Sequence, residues 1–281
     1  MRSPILSIII ANYNYGRFLE NAIRSVVDRD GFDRCELIIV DGGSTDNSVE
    51  VIKKYDGRIS WWVSEKDKGQ SDAFNKGFAH ARGKYLTWLN ADDVLLPGAL
   101  RVIVDEMARY PNEEWFAGAT AYFADDGIIK TATVPLGNVM PRLLGIPAWM
   151  RVSGPSSFFS RNLFDRAGGF DVGLQYVMDI DLWMRFTNLG ARLKVIDRYL
   201  WGFRLHGESK TSSSLTTGSI NEKFAKERTE IRRRNGVGRA EEISQFFRKR
   251  FCGVISFGYL KRICFMKNHK SAQVGTNSES T

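Results

Sequence analysis

The chain of 281 residues has few of the side chains that form disulfides or metal clusters, with three cysteines and three histidines. Cys35, Cys252 and Cys264 lack the spacing of metal ligands. An odd number of cysteines without such a framework predicts reduced thiols and a cytosolic setting. The sequence therefore argues against a secreted domain stabilised by disulfides.

Targeting and membrane-spanning segments are also missing. The apolar run at residues 5–11 is short and leads directly into polar residues, without the cleavage-like stretch of a signal peptide. No run reaches the ~18 apolar residues that a transmembrane helix needs. These absences predict a cytoplasmic protein. No G-x-G-x-x-G motif follows either early strand, which argues against a dinucleotide-dependent oxidoreductase.

Positive charge is in excess only in the C-terminal part of the chain. Residues 1–221 contain 26 basic and 26 acidic side chains, whereas residues 222–270 contain 14 basic and 5 acidic ones. The net charge of +8 therefore belongs to a C-terminal extension and says little about the substrate of the main body. Nucleic-acid binding is disfavoured, because no recognition fold accompanies the charge.

Strand and helix patterns alternate along the N-terminal part of the chain. Nearly continuous β-branched runs predict buried strands at 5–10, 36–40, 59–63 and 85–89. Apolar residues at helical spacing predict helices at 18–27, 48–55 and 72–81. This alternation predicts an α/β fold with a mostly parallel central sheet and helices on both faces.

The second half of the chain is less regular. Its patterns predict a helix at 95–110, an antiparallel pair of strands at 115–123 and 127–134, a helix at 179–189 and a strand at 192–196. We expect three units: an α/β domain at residues 1–220, a basic amphipathic helical extension at 221–270, and a disordered tail at 271–281.

Two adjacent carboxylates, Asp92 and Asp93, follow the predicted strand at 85–89. Like charges at the end of a buried strand are costly unless a cation compensates them. Ligands bind at that end of the strands in open α/β sheets. Two carboxylates favour Mg²⁺ or Mn²⁺, which keep their remaining positions for phosphate and water. The alternative is a solvated pair in a loop.

Asp41 ends the second predicted strand and is followed by two glycines. A carboxylate at this position can accept a hydrogen bond from a base N–H or a ribose hydroxyl. The glycines allow the backbone to approach a ligand closely. The alternative is that Asp41 forms a turn or caps the next helix.

Asp179 and Asp181 lie near the start of the helix predicted at 179–189, where the helix dipole favours an anion. Either both cap the helix, or one caps it and the other points into a cleft as a general base. His206 is a further candidate, although a lone histidine is more often structural.

The extension contains an apolar block at 251–260 with basic residues on both sides. Such a block suits an interfacial segment attracted to anionic lipid. It equally suits a helix that docks on the main domain with a solvated basic face, and the sequence leaves both interpretations open.

Seven segments between residues 3 and 211 resemble, in their order and spacing, the family-2 glycosyltransferases of GT-A fold. They are S-I-I-I-A-N-Y-N-Y-G from Ser7, L-I-I-V-D-G-G-S-T-D from Leu37, S-E-K-D-K-G-Q-S-D-A-F-N-K-G from Ser64, L-N-A-D-D from Leu89, G-G-F-D from Gly168, M-D-I-D-L-W-M-R from Met178 and F-R-L-H from Phe203. The subgroup that they resemble most builds bacterial cell-surface polysaccharides.

The resemblance implies a GT-A fold and a role for each matching residue. Asn12 and Tyr13 would line the nucleotide pocket, Asp41 would bind the base, and the loop from Glu65 through Lys68 to Asp72 would touch the nucleotide and the sugar. Asp92 would contact the ribose or the sugar, Asp93 would hold the metal on the diphosphate, and His206 would approach the diphosphate or the metal. Asp179 would be the catalytic base. The family often has Asp at the position of Asn90 and Glu at that of Met178, so the chain departs from the pattern there.

We therefore predict an inverting, metal-dependent glycosyltransferase that uses Mn²⁺ or Mg²⁺. It would move a sugar from a nucleoside diphosphate, with UDP as the expected nucleotide, to a hydroxyl of a polysaccharide or lipid-linked glycan. The expected partners are this donor, a glycan acceptor and an anionic surface at the inner face of the bacterial plasma membrane. The alternatives are a nucleotidyltransferase with a similar metal site and a non-catalytic, membrane-associated GT-A scaffold.

Overall fold

One mixed sheet organises the protein in the computed structural model, which describes residues 3–124, 126–127, 129–133, 135, 152–209 and 222–236. Within these residues the strands are β1 Leu6–Asn12, β2 Cys35–Asp41, β3 Trp61–Ser64, β4 Tyr85–Asn90, β5 Val94–Leu95, β6 Trp115–Ala124, β7 Ile129–Thr133, β8 Ser157–Ser160 and β9 Leu193–Leu205. The helices are α1 Gly16–Val27, α2 Ser48–Lys54, α3 Gln70–His80, α4 Ala99–Arg109, α5 Arg161–Ala167, α6 Met178–Asn188 and α7 Glu222–Arg234.

The strands pair in the order β3-β2-β1-β4-β8-β6-β9-β5, and β7 pairs with β6. The first four of these strands are mutually parallel, so their C-terminal ends meet at one edge. The register places Asn12 beside Asp41 and Ala11 beside Asn90 at that edge. In the other half of the sheet, antiparallel pairs with β8, β7 and β5 surround the parallel pair β6–β9.

Hydrophobic cores cover both faces of the sheet. Along β1, Ile8 and Ile10 belong to the core that contains α1 and α4, whereas Ile9 belongs to the core that contains α3, α5 and α6. Both faces of the strand are therefore buried, which explains why it is apolar except for Ser7 and the terminal Asn12. Gly77 lets α3 approach the sheet, because a Cβ at this position would lie 2.5 Å from Ile9 Cγ2.

The structure confirms the alternating pattern of the first half and the antiparallel pairing of β6 with β7. The helix predicted from residue 95 begins instead at Ala99, because Val94–Leu95 pairs with β9. The strand predicted at 192–196 continues to Leu205. Three elements were not predicted, β5, β8 and α5, although Ser160 caps α5 by accepting from Leu163 N–H at 3.1 Å and Gly168 ends it in the left-handed region.

The beginning of the predicted extension forms α7, which packs on the main domain. Cys252, Cys264, the apolar block at 251–260 and the tail at 271–281 lie outside the described residues. No helix in the described part of the chain has the length and hydropathy required to cross a bilayer.

Candidate active site

A cavity of about 230 Å³ opens where the C-terminal ends of β1 and β4 meet the start of α3. Its polar lining includes Asn12, Tyr13, Asp67, Gln70, Asn90 and Asp92. The parallel strands position these side chains, because the residues that follow the strands project beyond the same edge. Three predicted site residues, Asn12, Tyr13 and Asp92, therefore share one cavity wall.

Asp41 is fully buried and does not itself line this cavity. Its carboxylate accepts hydrogen bonds from Asn12 Nδ2 at 2.7 Å, Ser44 N at 2.9 Å, Ser44 Oγ at 2.5 Å and Ser64 Oγ at 2.6 Å. These donors offset the cost of burying the charge. Asp41 thus orients Asn12, which reaches the cavity, while its own oxygens are already hydrogen-bonded.

The side chains of Tyr13 and Tyr15 enter the cavity from the turn after β1. Tyr13 is 59 % exposed, an unusual degree for a large aromatic residue. The Tyr15 hydroxyl donates to the carbonyl of Glu208 at 3.1 Å, which ties this turn to the segment after β9. Burial, together with the nearby carboxylate of Asp92, raises the pKa of Tyr15 to about 12, so its hydroxyl stays neutral.

The segment at 65–72 lines the cavity with residues other than Glu65, Lys68 and Asp72, the three that the resemblance selected. Glu65 accepts from Lys76 at 2.6 Å, and Asp72 accepts from the backbone N–H of Lys68 at 3.0 Å. The cavity is instead lined by Asp67, Gly69 and Gln70 of the same segment. The quoted motif contained these residues, but sequence alone could not show which side chains of the loop turn inward.

The carboxylates of Asp92 and Asp93 lie in different surroundings. Asp93 is 1 % exposed, and its two oxygens accept from Asn90 Nδ2 at 2.7 Å and Arg204 N at 3.0 Å. Burial and the neighbouring charge of Asp92 hold the pKa of Asp93 well above its usual range. Asp92 lines the cavity, and its Oδ2 lies 2.9 Å from His206 Nε2. Asp93 does not line the cavity and both of its oxygens are hydrogen-bonded within the protein, so the assignment of the metal to Asp93 stays a prediction that these contacts do not favour.

His206 reaches the site because β9 is much longer than predicted. The strand runs parallel to β6 as far as Leu205, which delivers His206 to the edge where β4 ends. Its ring packs against Phe18 with 4.7 Å between ring centroids, and Arg204 Nε donates to the carbonyl of Asp92 at 3.0 Å. Asp92 and His206, 114 residues apart in sequence, therefore form an oxygen–nitrogen pair, of which Asp92 lines the cavity and the buried His206 ring does not.

The structure places Asp179 and Asp181, the two carboxylates in the first turn of α6, in different surroundings. Asp181 is buried and paired with Arg185, with the shorter contact at 2.6 Å. Asp179 has no ion-pair partner within the described residues and accepts from the backbone N–H of Ile180 at 2.8 Å. Burial raises the pKa of Asp179 to about 6, against the smaller opposing effect of backbone hydrogen bonds. A carboxylate that titrates near neutral pH suits proton transfer, so these contacts favour Asp179 over Asp181 as a base.

Asp179 stands outside the donor-side lining, next to Gly154 and Trp88. A Cβ at Gly154 would lie 3.5 Å from Asp179 Oδ2 and 3.4 Å from Trp88 Cζ2, so the absence of a side chain leaves space beside the carboxylate. Trp88 belongs to β4, which ends two residues later and is followed by Asp92. Asp179 and the cavity thus lie near the same end of β4.

Comparison with known proteins identifies the family. The model described as "Glycosyl transferase family 2" matches residues 7–168, more than half of the chain. The chain belongs to glycosyl transferase family 2. A glycosyltransferase of Nostoc sp., described as uncharacterized, is 44 % identical over 103 residues, which are 36 % of this chain and 32 % of the relative. The chondroitin synthase of Escherichia coli is 25 % identical over 76 % of this chain and 31 % of its own length. The chain thus spans about a third of these two family-2 relatives.

Solved structures confirm the GT-A fold. S. aureus TarS 1–349 in complex with UDP-GlcNAc has a TM-score of 0.61 at 18 % identity, covering 83 % of this chain and 65 % of that one. The mannosyltransferase PcManGT from Pyrobaculum calidifontis, in complex with GDP-Man and Mn²⁺, has a TM-score of 0.56 at 15 % identity, covering 95 % and 80 %. At such identities the likeness shows the fold alone.

Proposed function

We propose that this family-2 protein is an inverting glycosyltransferase that uses a nucleoside diphosphate sugar and a divalent metal ion. The observation that carries the proposal is that two separate carboxylates lie at or near one cavity. Asp92 faces the cavity beside His206, and Asp179, near the end of the same strand, has no ion-pair partner among the residues that the structure describes. One carboxylate can thus serve the leaving diphosphate while the other serves the acceptor.

The donor would bind with its nucleotide against the turn after β1. The exposed ring of Tyr13 offers an apolar face on which a base can stack. Asn12 and the carboxylate of Asp67 supply the polar groups on that side of the cavity. In this proposal Asp41 acts by holding Asn12, and Glu65, Lys68 and Asp72 shape the loop that brings Asp67 and Gln70 inward.

The donor set fits a divalent ion that is shared with the substrate. Among the described residues, no group of three or more histidine, cysteine or acidic side chains could hold a metal by itself. The carboxylate of Asp92 and the imidazole of His206 provide two ligands, which suits an ion that completes its shell with phosphate oxygens and water. When bound, such an ion neutralises the charge that develops on the leaving diphosphate. Asp93 would hold the strand ends in place through Asn90 and Arg204.

Asp179 would act as the general base. In its ionised form it takes the proton of the acceptor hydroxyl, and the oxygen then attacks the anomeric carbon. The bond from that carbon to the diphosphate oxygen breaks, and the nucleoside diphosphate leaves. Because attack and departure occur on opposite faces in one displacement, the anomeric configuration inverts. Asp179 Oδ1 accepts from Ile180 N–H, whereas Oδ2 lies beside Gly154, where the missing side chain leaves space for an acceptor hydroxyl.

A thermal-shift screen of nucleotide sugars with Mn²⁺ tests the donor. A ligand at ~100 times its dissociation constant adds about 2.7 kcal/mol of stability, so a true donor should stand out from the other nucleotides. Product analysis then tests the reaction, because a glycosyltransferase releases nucleoside diphosphate. Release of pyrophosphate instead, or no stabilisation by any nucleotide sugar, would refute the proposal.

The acceptor and the location of the protein follow from the proposed family subgroup. We propose a polysaccharide or lipid-linked glycan as acceptor, made at the inner face of the plasma membrane. The apolar block at 251–260, with its flanking basic residues, would provide peripheral attachment to anionic lipid.

A further inference from the structure

The helix α7 lies outside the segment that the family model matches, yet it is tied to the loop that precedes Asp179. Its residue Ile231 is fully buried in the core beside α6, and Phe224 packs against the same core. Arg234 pairs with Asp171 at 2.8 Å, and Asn235, just beyond the helix, accepts from Asn188 at 2.9 Å. The helix thus contacts the chain before α6 and at the C-terminal end of α6.

Glu227 makes the central contact between α7 and this loop. Its carboxylate accepts from the backbone N–H of Gln175 at 3.0 Å and 3.1 Å and from that of Tyr176 at 2.9 Å. These two N–H groups come just before α6, which starts at Met178. A charged acceptor on successive backbone donors fixes the local chain direction more firmly than a neutral one would.

The same loop also contacts the donor side. A Cβ at Gly69, a residue of the cavity lining, would lie 3.0 Å from the side-chain amide of Gln175. Ser71, in the first turn of α3, donates to the carbonyl of Leu174 at 3.0 Å. The loop at 171–177 is therefore held between α3 on the cavity side and Glu227 on the other side.

We propose that Glu227 is a positioning residue: by holding the loop at 171–177 against α3, it sets where Asp179 stands relative to the donor cavity. The proposal rests on the proposed function in taking Asp179 as the base. It makes α7 part of the catalytic domain and not of a separate extension. Glu227 itself touches neither donor nor acceptor in this proposal and acts through the loop.

Three variants of the full chain isolate this effect. Glu227→Ala removes the acceptor, and Glu227→Gln keeps one oxygen that can accept from the loop. Glu222→Ala is the matched control, because Glu222 is the same residue type in the first turn of α7 and its side chain is exposed. In hydrogen–deuterium exchange, we expect peptides covering 171–181 to exchange about tenfold faster in Glu227→Ala. Glu227→Gln should fall between Glu227→Ala and the unmodified protein, and Glu222→Ala should match the unmodified protein.

Turnover separates positioning from simple stabilisation. The probes are UDP-GlcNAc and GDP-mannose with Mn²⁺, followed by release of UDP or GDP. We expect kcat to fall about tenfold in Glu227→Ala with the donor KM nearly unchanged, because the donor-side groups lie on β1, β4 and α3. Unchanged kcat despite faster exchange, or unchanged exchange, would overturn the proposal.

A measurement without turnover distinguishes this proposal from the proposed function. Asp179→Asn is introduced alone and together with Glu227→Ala, and melting temperatures are compared at pH 5 and pH 8. If Glu227 holds Asp179 in its place beside Gly154, the stabilisation by Asp179→Asn at pH 8 should shrink to less than half in the Glu227→Ala background. An equal stabilisation in both backgrounds refutes positioning. A third outcome is that the unmodified protein transfers no sugar while the stabilisation by Asp179→Asn still shrinks in the Glu227→Ala background. That result would refute the proposed function and would support the positioning role of Glu227.

Discussion

Replacing Asp179 with Asn should stabilise the protein at neutral pH while it abolishes sugar transfer. Burial raises the pKa of Asp179 from its usual 3.8 to about 6, so the folded state disfavours the ionised form. The resulting destabilisation is absent below pH 4, develops between the two pKa values and is complete above pH 6. A difference of about two pKa units corresponds to about 3 kcal/mol. Asn avoids this loss and can still accept from Ile180 N–H.

Scanning fluorimetry across pH 4–8 measures the effect. For a domain of this size, about 3 kcal/mol corresponds to a rise in Tm of roughly 6–12 °C at pH 8, vanishing at pH 4. The matched control is Asp181→Asn, which breaks the buried ion pair with Arg185 and should lower Tm at pH 7. Donor turnover should rise with pH around an apparent pKa near 6 in the unmodified protein and fall by about 10²–10⁴-fold in Asp179→Asn. A Tm difference that does not depend on pH, or an active Asp179→Asn, would refute the reasoning.

Three further outcomes are expected. Asp92→Asn should weaken Mn²⁺-dependent binding of UDP about tenfold or more in calorimetry, whereas Asp93→Asn should keep the Mn²⁺ dependence; the reverse would return the metal to Asp93. Gly77→Ala places a methyl 2.5 Å from Ile9 Cγ2 and should lower the free energy of unfolding by about 1–3 kcal/mol in urea titrations. An unchanged free energy of unfolding would mean that α3 can move away from the sheet without cost. Replacing the basic residues at 248–250 with Ser should reduce co-sedimentation with anionic vesicles, and equal partitioning would contradict membrane attachment.

The parallel half of the sheet could be predicted because its signal is local. A strand such as β1 is buried on both faces, so its sequence is apolar apart from Ser7, which donates to Glu36, and the polar Asn12 marks where it ends. The antiparallel half gives a weaker signal. Val94–Leu95 looks like the start of a helix until its partner is known, because a strand of two residues exists only through pairing with Gly202 and Trp201 of β9.

The choice between Asp179 and Asp181 as the base likewise depends on a contact with another residue. Asp179 and Asp181 are two residues apart in the first turn of α6, and their sequence surroundings are nearly equivalent. They differ because Arg185 lies one turn after Asp181, where i,i+4 spacing allows an ion pair, whereas the residue at the same distance from Asp179 is Trp183. This spacing is readable from the sequence and could have favoured Asp179 before the structure was known.

The acidic pair is the case in which sequence could locate a site but not assign its members. Asp92 and Asp93 are adjacent after β4, so one must turn toward the cavity and the other toward the protein. Which one turns inward depends on β9, whose backbone N–H at Arg204 binds Asp93 and whose end brings His206 to Asp92. That strand lies more than a hundred residues further along the chain, and its length was underestimated. The repulsion between the carboxylates is therefore relieved in two ways: Asp93 is buried among donors with a raised pKa, and Asp92 remains beside an imidazole at the cavity, where a cation would be bound.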